Sequence, residues 1–488
     1  MRPLEANGTL NVQIEQVRAA QHLRSLLGDI RQGAKDRLVV VAFGDSLATR
    51  VAEPFLENEC SIWFPTRPYP VITNGAFVRI TTEGAHRSKD KTGPGYSYNP
   101  IGQYTRLENS ERLVIGPLNG SSERTVLPYI RQPGGGTFEM FISDTASAAQ
   151  AVINGNDYNH VSWRTPRADE IQSSHPLSNG RMIIETTDES ISADHIDLVY
   201  PAGTVRAVKV EHLSGGEIDI LPIYNEYPGL TLYALAAGSN RFLDVNPDCV
   251  PNLAALVETV EPDLITLQTD DRGEDYAHFL PLLREALAST RLSSKPVVIC
   301  FGEGPKNFAR SHEGVLGQNA FASSFCAQND WLFISQFDLA PDFQWLVEHG
   351  LGGDGTHLHA DFYAMTADYA AAYAGLDFIA YQTWPGEELC FSVSLNSEHT
   401  ENGLLEVIGS TAPNRPENEW TELMSWSNTA GPQLSSPKVL AVHEVLQWSD
   451  ADFLLEPRLR LRLLTKDHES YFLRAKSTLS QTTAQTAD

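Results

Sequence analysis

No segment of the 488-residue chain approaches the ~20 consecutive apolar residues that cross a bilayer, so insertion into a membrane as a helix is excluded. Cysteine is scarce: Cys60, Cys249, Cys300, Cys326 and Cys390 are odd in number, widely scattered and never paired as C-x-x-C. Neither a disulfide framework nor a zinc knuckle is signalled. Positive charge is short as well, because 36 Lys and Arg against 62 Asp and Glu leave a formal net charge of -26. Such a balance repels phosphate backbones and anionic lipid, which argues against nucleic acid as a partner. The opening MRPLEANGTLNVQIEQ has neither the basic start nor the apolar centre of a secretory signal. The chain is therefore expected to be soluble and cytoplasmic as made, with action outside the cell left open to it as a virion component. No internal repeat is evident.

What is present divides into two grammars. Residues 12–32 carry apolar side chains at helical spacing, and the nearly all-apolar run LVVVAF follows. The same grammar returns later in strand LTLYALA, helix VPNLAALVETV, strand LITLQT, a helix around FLPLLREAL, strand VVICF and strand WLFISQF. Nearly all-apolar strands alternating with helices predict a parallel sheet covered on both faces, a doubly wound α/β core. Residues 61–225 instead hold short alternating runs such as AFVRITT, TFEMFIS and RAVKVEHL, punctuated by Gly, Pro, Asn and Ser. That pattern predicts an antiparallel β-sandwich or jelly roll inserted into the α/β core.

The expected domains are 1–60 with 226–376 for the discontinuous α/β core, 61–225 for the insert, 377–475 for a C-terminal β domain and 476–488 for a disordered tail. The insert leaves just after Gly-Asp-Ser, and it is expected to emerge near the mouth of the sheet.

The chemistry gathers at the ends of the strands. Ligands of open parallel sheets bind outside the carboxyl ends, and GDS at 44–46 stands at such an end. Serine is a poor nucleophile unless a base takes its proton and a carboxylate fixes that base's tautomer. GGDGTHLHADF places Asp354 and His357 three positions apart, immediately before a helix. Ser46 as a helix N-cap and His357 as a solvated loop residue are the bland alternatives. The order of GDS, Gly238 in YALAAGSN, QTDD at 268–271 and D-x-x-H at 354–357 resembles the SGNH, or GDSL, serine hydrolase superfamily over about 200 of the 488 residues.

The resemblance implies a flavodoxin-like α/β fold and ester hydrolysis through an acyl-enzyme. Ser46 would be the nucleophile, His357 the base and Asp354 its orienter, with the backbone N–H groups of Ser46 and Gly238 in the oxyanion hole. No metal and no cofactor are implied. Acetylated carbohydrate is a common substrate class there, so the expected partner is an acylated polysaccharide or oligosaccharide. Tyr96, Tyr98, Tyr104, Tyr158 and Trp163 of the insert are candidates for stacking on sugar rings, and equally ordinary sandwich aromatics. The β domains are the candidate surfaces for self-association.

The order of helix, GDS core and β modules also resembles the esterase proteins of phage tails. One position departs from the family: Asp270 stands where its G-x-N-D block has the oxyanion-donating asparagine. An ionised carboxylate only accepts hydrogen bonds, so either Asp270 is kept neutral or another group, such as Asn240 or Gln268, donates in its stead. Two further readings stay open, a binding or structural protein that has lost catalysis and an O-acetyltransferase using the same three residues.

His357-Leu-His359-Ala-Asp361 looks like a zinc motif, but no second cluster accompanies it.

Overall fold

In the computed structural model the described residues are 17–31, 34–45, 47–56, 104–108, 110–118, 124–143, 162–172, 175, 177–199, 206–221, 224–226, 229–236, 242–269, 275–307, 312–355 and 357–374, with strand segments at 8–9, 79–83, 86–88 and within 377–479. Five strands form one parallel sheet: β1 (Arg37–Gly44), β2 (Gly229–Ala236), β3 (Leu264–Gln268), β4 (Val297–Phe301) and β5 (Leu332–Ile334). Their order is β2-β1-β3-β4-β5. This is the 2-1-3-4-5 order of a flavodoxin-like sheet, whose topological switch point falls between the first and third strands.

The all-apolar strands make sense once both faces are buried. Leu38, Val40 and Ala42 of β1 enter one core, while Val39, Val41 and Phe43 enter the other. Helices α1 (Val17–Arg31), α5 (Phe343–Glu348) and α6 (Ala360–Tyr373) contribute to the first core. Helices α2 (Val250–Val260), α3 (Asp275–Ser289) and α4 (His312–Gln328) close the second. Strand β5 is shorter than WLFISQF predicts, because Gln336 turns into a 3-10 segment and donates its amide to Gly302 O at 2.5 Å. Among the described residues no helix is long and apolar enough to cross a membrane.

Between β1 and β2 in the chain lie two antiparallel sheets. One contains Ile183–Glu185, Gly136–Ser143, Arg206–Gly215, Arg112–Leu118 and Arg79–Glu83, in that order, and the other Ser192–Val199, Arg124–Arg131, Ile218–Ile220, Tyr104–Leu107 and His86–Ser88. They meet face to face through Phe138, Met140, Ile142 and Val208 of the first and Leu127, Tyr129, Ile196 and Ile218 of the second.

The return of this segment corrects the expectation that it emerges at the mouth of the sheet. Tyr224–Glu226 pairs with Arg124–Arg131 and leads into β2, whose first residue Gly229 lies opposite Arg37. Glu226, nearly fully buried, accepts Arg37 at 2.9 Å and Arg124 at 3.6 Å, and Arg124 also reaches Asp197 at 3.1 Å. Val126 joins the core lined by α2. The ion-pair chain therefore ties the two-sheet unit to the amino edge of the parallel sheet, opposite its carboxyl rim. A chain that returns immediately before a parallel strand must re-enter at that strand's amino end.

Within the same unit, Tyr129 donates its hydroxyl hydrogen to Asp194 Oδ2 at 2.9 Å and contacts His175 Nε2 at 2.7 Å, while the His195 N–H donates to Asp194 Oδ1 at 2.8 Å. Burial pushes the Asp194 carboxyl up, but hydrogen bonds from His175, His195 and Tyr129 outweigh it and hold the group at about 2, below its ordinary 3.8. A depressed carboxyl stabilises the fold above pH 3.8, and that contribution is lost as the pH falls toward 2. After discounting for partial exposure it amounts to about 1–2 kcal/mol. Asp194→Asn should therefore lose less stability between pH 5 and pH 2 than the wild type, measured as urea midpoints. Equal losses in the two proteins would contradict this account.

The remaining described β structure is a seven-stranded sheet in the order Gly8–Thr9, Asp377–Thr383, Arg458–Leu464, Ser470–Leu479, Gly403–Ser410, Thr421–Ser427 and Gly431–Leu434, and a parallel pair of Leu389–Phe391 with Leu440–Val442. Gly8–Thr9 pairs with Asp377–Thr383, so a segment assigned from sequence to the α/β core is hydrogen-bonded to the C-terminal sheet instead. Two residues carry too little pattern to announce a strand partner hundreds of positions away.

Candidate active site

Asp354 and His357 share one tight loop. The His357 N–H donates to Asp354 Oδ1 at 2.7 Å, and His357 Nδ1 lies 3.0 Å from Asp354 Oδ2. The Asp354 N–H closes the loop by donating to His357 O at 3.2 Å. Each carboxylate oxygen thus has its own task, one holding the backbone and one the ring. With Nδ1 as the donor to Asp354, Nε2 is the proton-accepting nitrogen of the neutral imidazole.

Gly353 is required here: its φ is +57° and a Cβ would overlap His357 O. Leu358 N–H donates to the Tyr363 hydroxyl oxygen at 3.0 Å, which fixes the loop to the first turn of α6. His359 Nδ1 instead accepts from the Asp361 N–H at 3.3 Å and lies 3.3 Å from Asp361 Oδ2, so the two histidines of H-x-H-x-D do not share a carboxylate. Among the described residues no three His, Cys, Asp or Glu side chains converge as a metal site.

The loop stands at the carboxyl rim of the parallel sheet. Residues 302–307 continue from the end of β4, and Asn307 N–H donates to Gly355 O at 3.3 Å. Within this segment the buried Glu303 and Lys306 pair at 3.5 Å. Asn319 of α4 accepts from Glu303 N–H at 3.0 Å and donates to Glu303 O at 2.9 Å. His357 is therefore carried by a segment that is itself tied down on the rim.

At the switch point, β1 and β3 end side by side, with Gly44 opposite Gln268. The approach is close enough that a Cβ on Gly44 would overlap Gln268 O. Beyond it Asp45 is buried, accepting from Leu47 N–H at 2.8 Å and from the Thr269 hydroxyl at 3.3 Å. Gln268 Oε1 accepts from Val51 N–H at 3.1 Å. Gln268 has 1 % of its surface accessible, and among the described residues its amide nitrogen has no hydrogen-bond partner.

Ser46, Gly238, Asn240 and Asp270 lie outside the described residues. So do Tyr96, Tyr98 and Tyr158, whereas Trp163 is half-buried beside Lys209, whose Nζ sits 5.4 Å from its ring centre. Of the three expected catalytic residues, the structure brings Asp354 and His357 together, and it describes the chain on either side of Ser46. Thr269 and Gln268 were not singled out as partners of the serine turn. Their only signal in the sequence is to be polar at the end of an apolar strand.

No protein-family model and no curated protein sequence matches the chain. Solved structures similar to it include a peptidoglycan O-acetylesterase, 14% identical over 74% of this chain and 96% of that one, with a TM-score of 0.44. A putative GDSL-like lipase from Bacteroides ovatus is 11% identical over 59% of this chain and 88% of that one, with a TM-score of 0.23. A carbohydrate-binding module, TmCBM61 in complex with beta-1,4-galactotriose, is 10% identical over 31% of this chain and 90% of its own, with a TM-score of 0.19. Likenesses this remote do not establish a family or an activity, and the functional reading rests on the site.

Proposed function

We propose that the protein is a serine esterase of the SGNH type that removes short acyl groups, O-acetyl foremost, from a polysaccharide through an acyl-enzyme. The observation that carries this reading is the Asp354–His357 pair, oriented by its own loop on the carboxyl rim of the sheet whose first strand runs into Asp45 and Ser46. In the proposed reaction His357 Nε2 takes the Ser46 proton as Oγ attacks the acyl carbon. Asp354 holds the Nδ1–H tautomer and stabilises the imidazolium that forms. The imidazolium then protonates the sugar oxygen as its bond to the acyl carbon breaks, so that it leaves as a hydroxyl, and water attacks the acyl-enzyme in the same way to release the carboxylic acid and restore Ser46. Backbone N–H groups of Ser46 and Gly238 would hold the oxyanion. The two-sheet unit, read as an inserted jelly roll, would serve as a carbohydrate platform held at the flank and amino edge of the core.

Asp270 motivates a second reading, in which the same core binds carbohydrate without turning it over. Labelling with a fluorophosphonate followed by peptide mapping separates the two. The esterase reading expects modification of Ser46, together with a burst of p-nitrophenol from the acetate ester that Ser46→Ala abolishes. Absence of any label on Ser46 in the folded protein would leave the binding reading in place. Acyl transfer from the same ester to added oligosaccharide, in excess of hydrolysis, would identify the acyltransferase.

A further inference from the structure

The catalytic pair explains how a serine would be deprotonated, but not what holds the serine still. Ser46 has no regular secondary structure to rely on at its amino side, because β1 ends at Gly44. On its carboxyl side the chain forms turns through residue 51 before the helical segment at 52–56. A turn in this position needs restraint from elsewhere in the fold.

The geometry points to Gln268 and Thr269 as positioning residues that clasp the chain on both sides of Ser46; this assignment rests on the proposed esterase reading. Ahead of the serine, Thr269 Oγ1 donates to Asp45 Oδ2 at 3.3 Å, while Asp45 Oδ1 accepts from Leu47 N–H at 2.8 Å across the serine itself. Behind it, Gln268 Oε1 accepts from Val51 N–H at 3.1 Å. Between the two, Gly44 packs directly on Gln268 O.

These bonds bridge 224 and 217 positions of sequence, so they join separate parts of the chain and are not local turn geometry. The three polar residues of the clasp, Asp45, Gln268 and Thr269, are buried, and so is Val51, whose N–H it holds. A buried carboxylate such as Asp45 requires hydrogen-bond donors, and the Thr269 hydroxyl supplies one of them from the neighbouring strand end. Among the described residues Gln268 Nε2 has no hydrogen-bond partner, whereas the acceptor oxygen of the side chain is engaged by Val51 N–H. The pair therefore sits at the switch point as a brace on the chain that leads into and out of Ser46, through Asp45 and Val51.

The consequence is a separation between chemistry and binding. A nucleophile displaced by about 1 Å loses rate on the order of 10²-fold through lost alignment, whereas contacts made by the rest of the substrate are unaffected. Thr269→Val keeps the shape and removes the hydroxyl, and Thr269→Ser keeps the hydroxyl. Thr269→Val is expected to lower the burst (acylation) rate with p-nitrophenyl acetate, and the rate of fluorophosphonate labelling at Ser46, roughly 10-fold, with the substrate concentration that half-saturates the burst unchanged. Thr269→Ser should recover most of both. Gln268→Met should lower both rates by a similar factor, with the thermal midpoint of each variant recorded alongside.

Labelled wild type with Thr269→Val at wild-type rates would overturn the clasp and leave the esterase reading intact. A loss of rate that Thr269→Ser does not restore would also overturn it, since the hydroxyl would then not be the active feature. Should Gln268→Met fail to fold, the two Thr269 variants decide the matter alone. A folded wild type that takes no label at Ser46 removes the esterase reading, and the clasp's catalytic role with it.

Discussion

His357→Ala is expected to lower hydrolysis of p-nitrophenyl acetate by about 10⁶-fold, the order of loss when the base of a serine triad is removed. The pH dependence expected of a base should vanish with it, while KM changes little. Asp354→Asn should cost less, on the order of 10⁴-fold, a loss that arises because the amide favours the wrong imidazole tautomer. Its Oδ1 contact to the His357 N–H survives in the amide, and at 64% side-chain exposure water replaces part of what the carboxylate does for the ring. The comparison is informative because both variants leave the packed core untouched. Rates for His357→Ala within tenfold of the wild type, with Ser46 still labelled, would place the base elsewhere on the rim.

Gly44→Ala is the second large effect. The added methyl would overlap Gln268 O and stand 2.9 Å from Ala48 Cβ, and neither obstacle is the loose end of a flexible side chain. To admit it, the pairing of β1 with β3 must open at the switch point. We expect a destabilisation of roughly 3 kcal/mol, at the upper end of what overpacking usually costs. Labelling of Ser46 should fall by at least about 10²-fold, because the strand end carrying the nucleophile moves. Gly317→Ala is the matching control: nothing lies within 4 Å of a Cβ there and the residue is inside α4, so stability should hold or rise slightly. A Gly44→Ala protein as stable and as reactive as the wild type would show that the two strand ends are not tightly apposed.

The Asp354–His357 contact was legible in advance because the two residues are neighbours in the chain. A carboxylate and an imidazole three positions apart, in a glycine-rich loop, meet through local geometry alone, and the 3.0 Å contact follows. The parallel strands were legible for a similar reason, since a run such as Leu38-Val39-Val40-Val41 belongs only where both faces are buried. The contacts of Gln268 were not legible, for the opposite reason. A polar side chain at a strand end advertises a donor to the site, and nothing local tells that its oxygen is taken by Val51 N–H and its surface enclosed. Gly8–Thr9 likewise offers no periodicity from which its pairing with Asp377–Thr383 could be read.

Sequence alone determined the kinds of element, the alternation of two β grammars around an α/β core, and the chemical types set at the carboxyl ends of its strands. These are properties of hydrophobic period and of short-range spacing, which act between residues a few positions apart. Tertiary structure alone decided which strand ends stand together. It set β1 against β3, closed Gln268 and Thr269 around the serine turn, and tied the two-sheet unit to the amino edge through Glu226. Those outcomes depend on packing both faces of one sheet at once, an energy shared among residues hundreds of positions apart that no local pattern encodes.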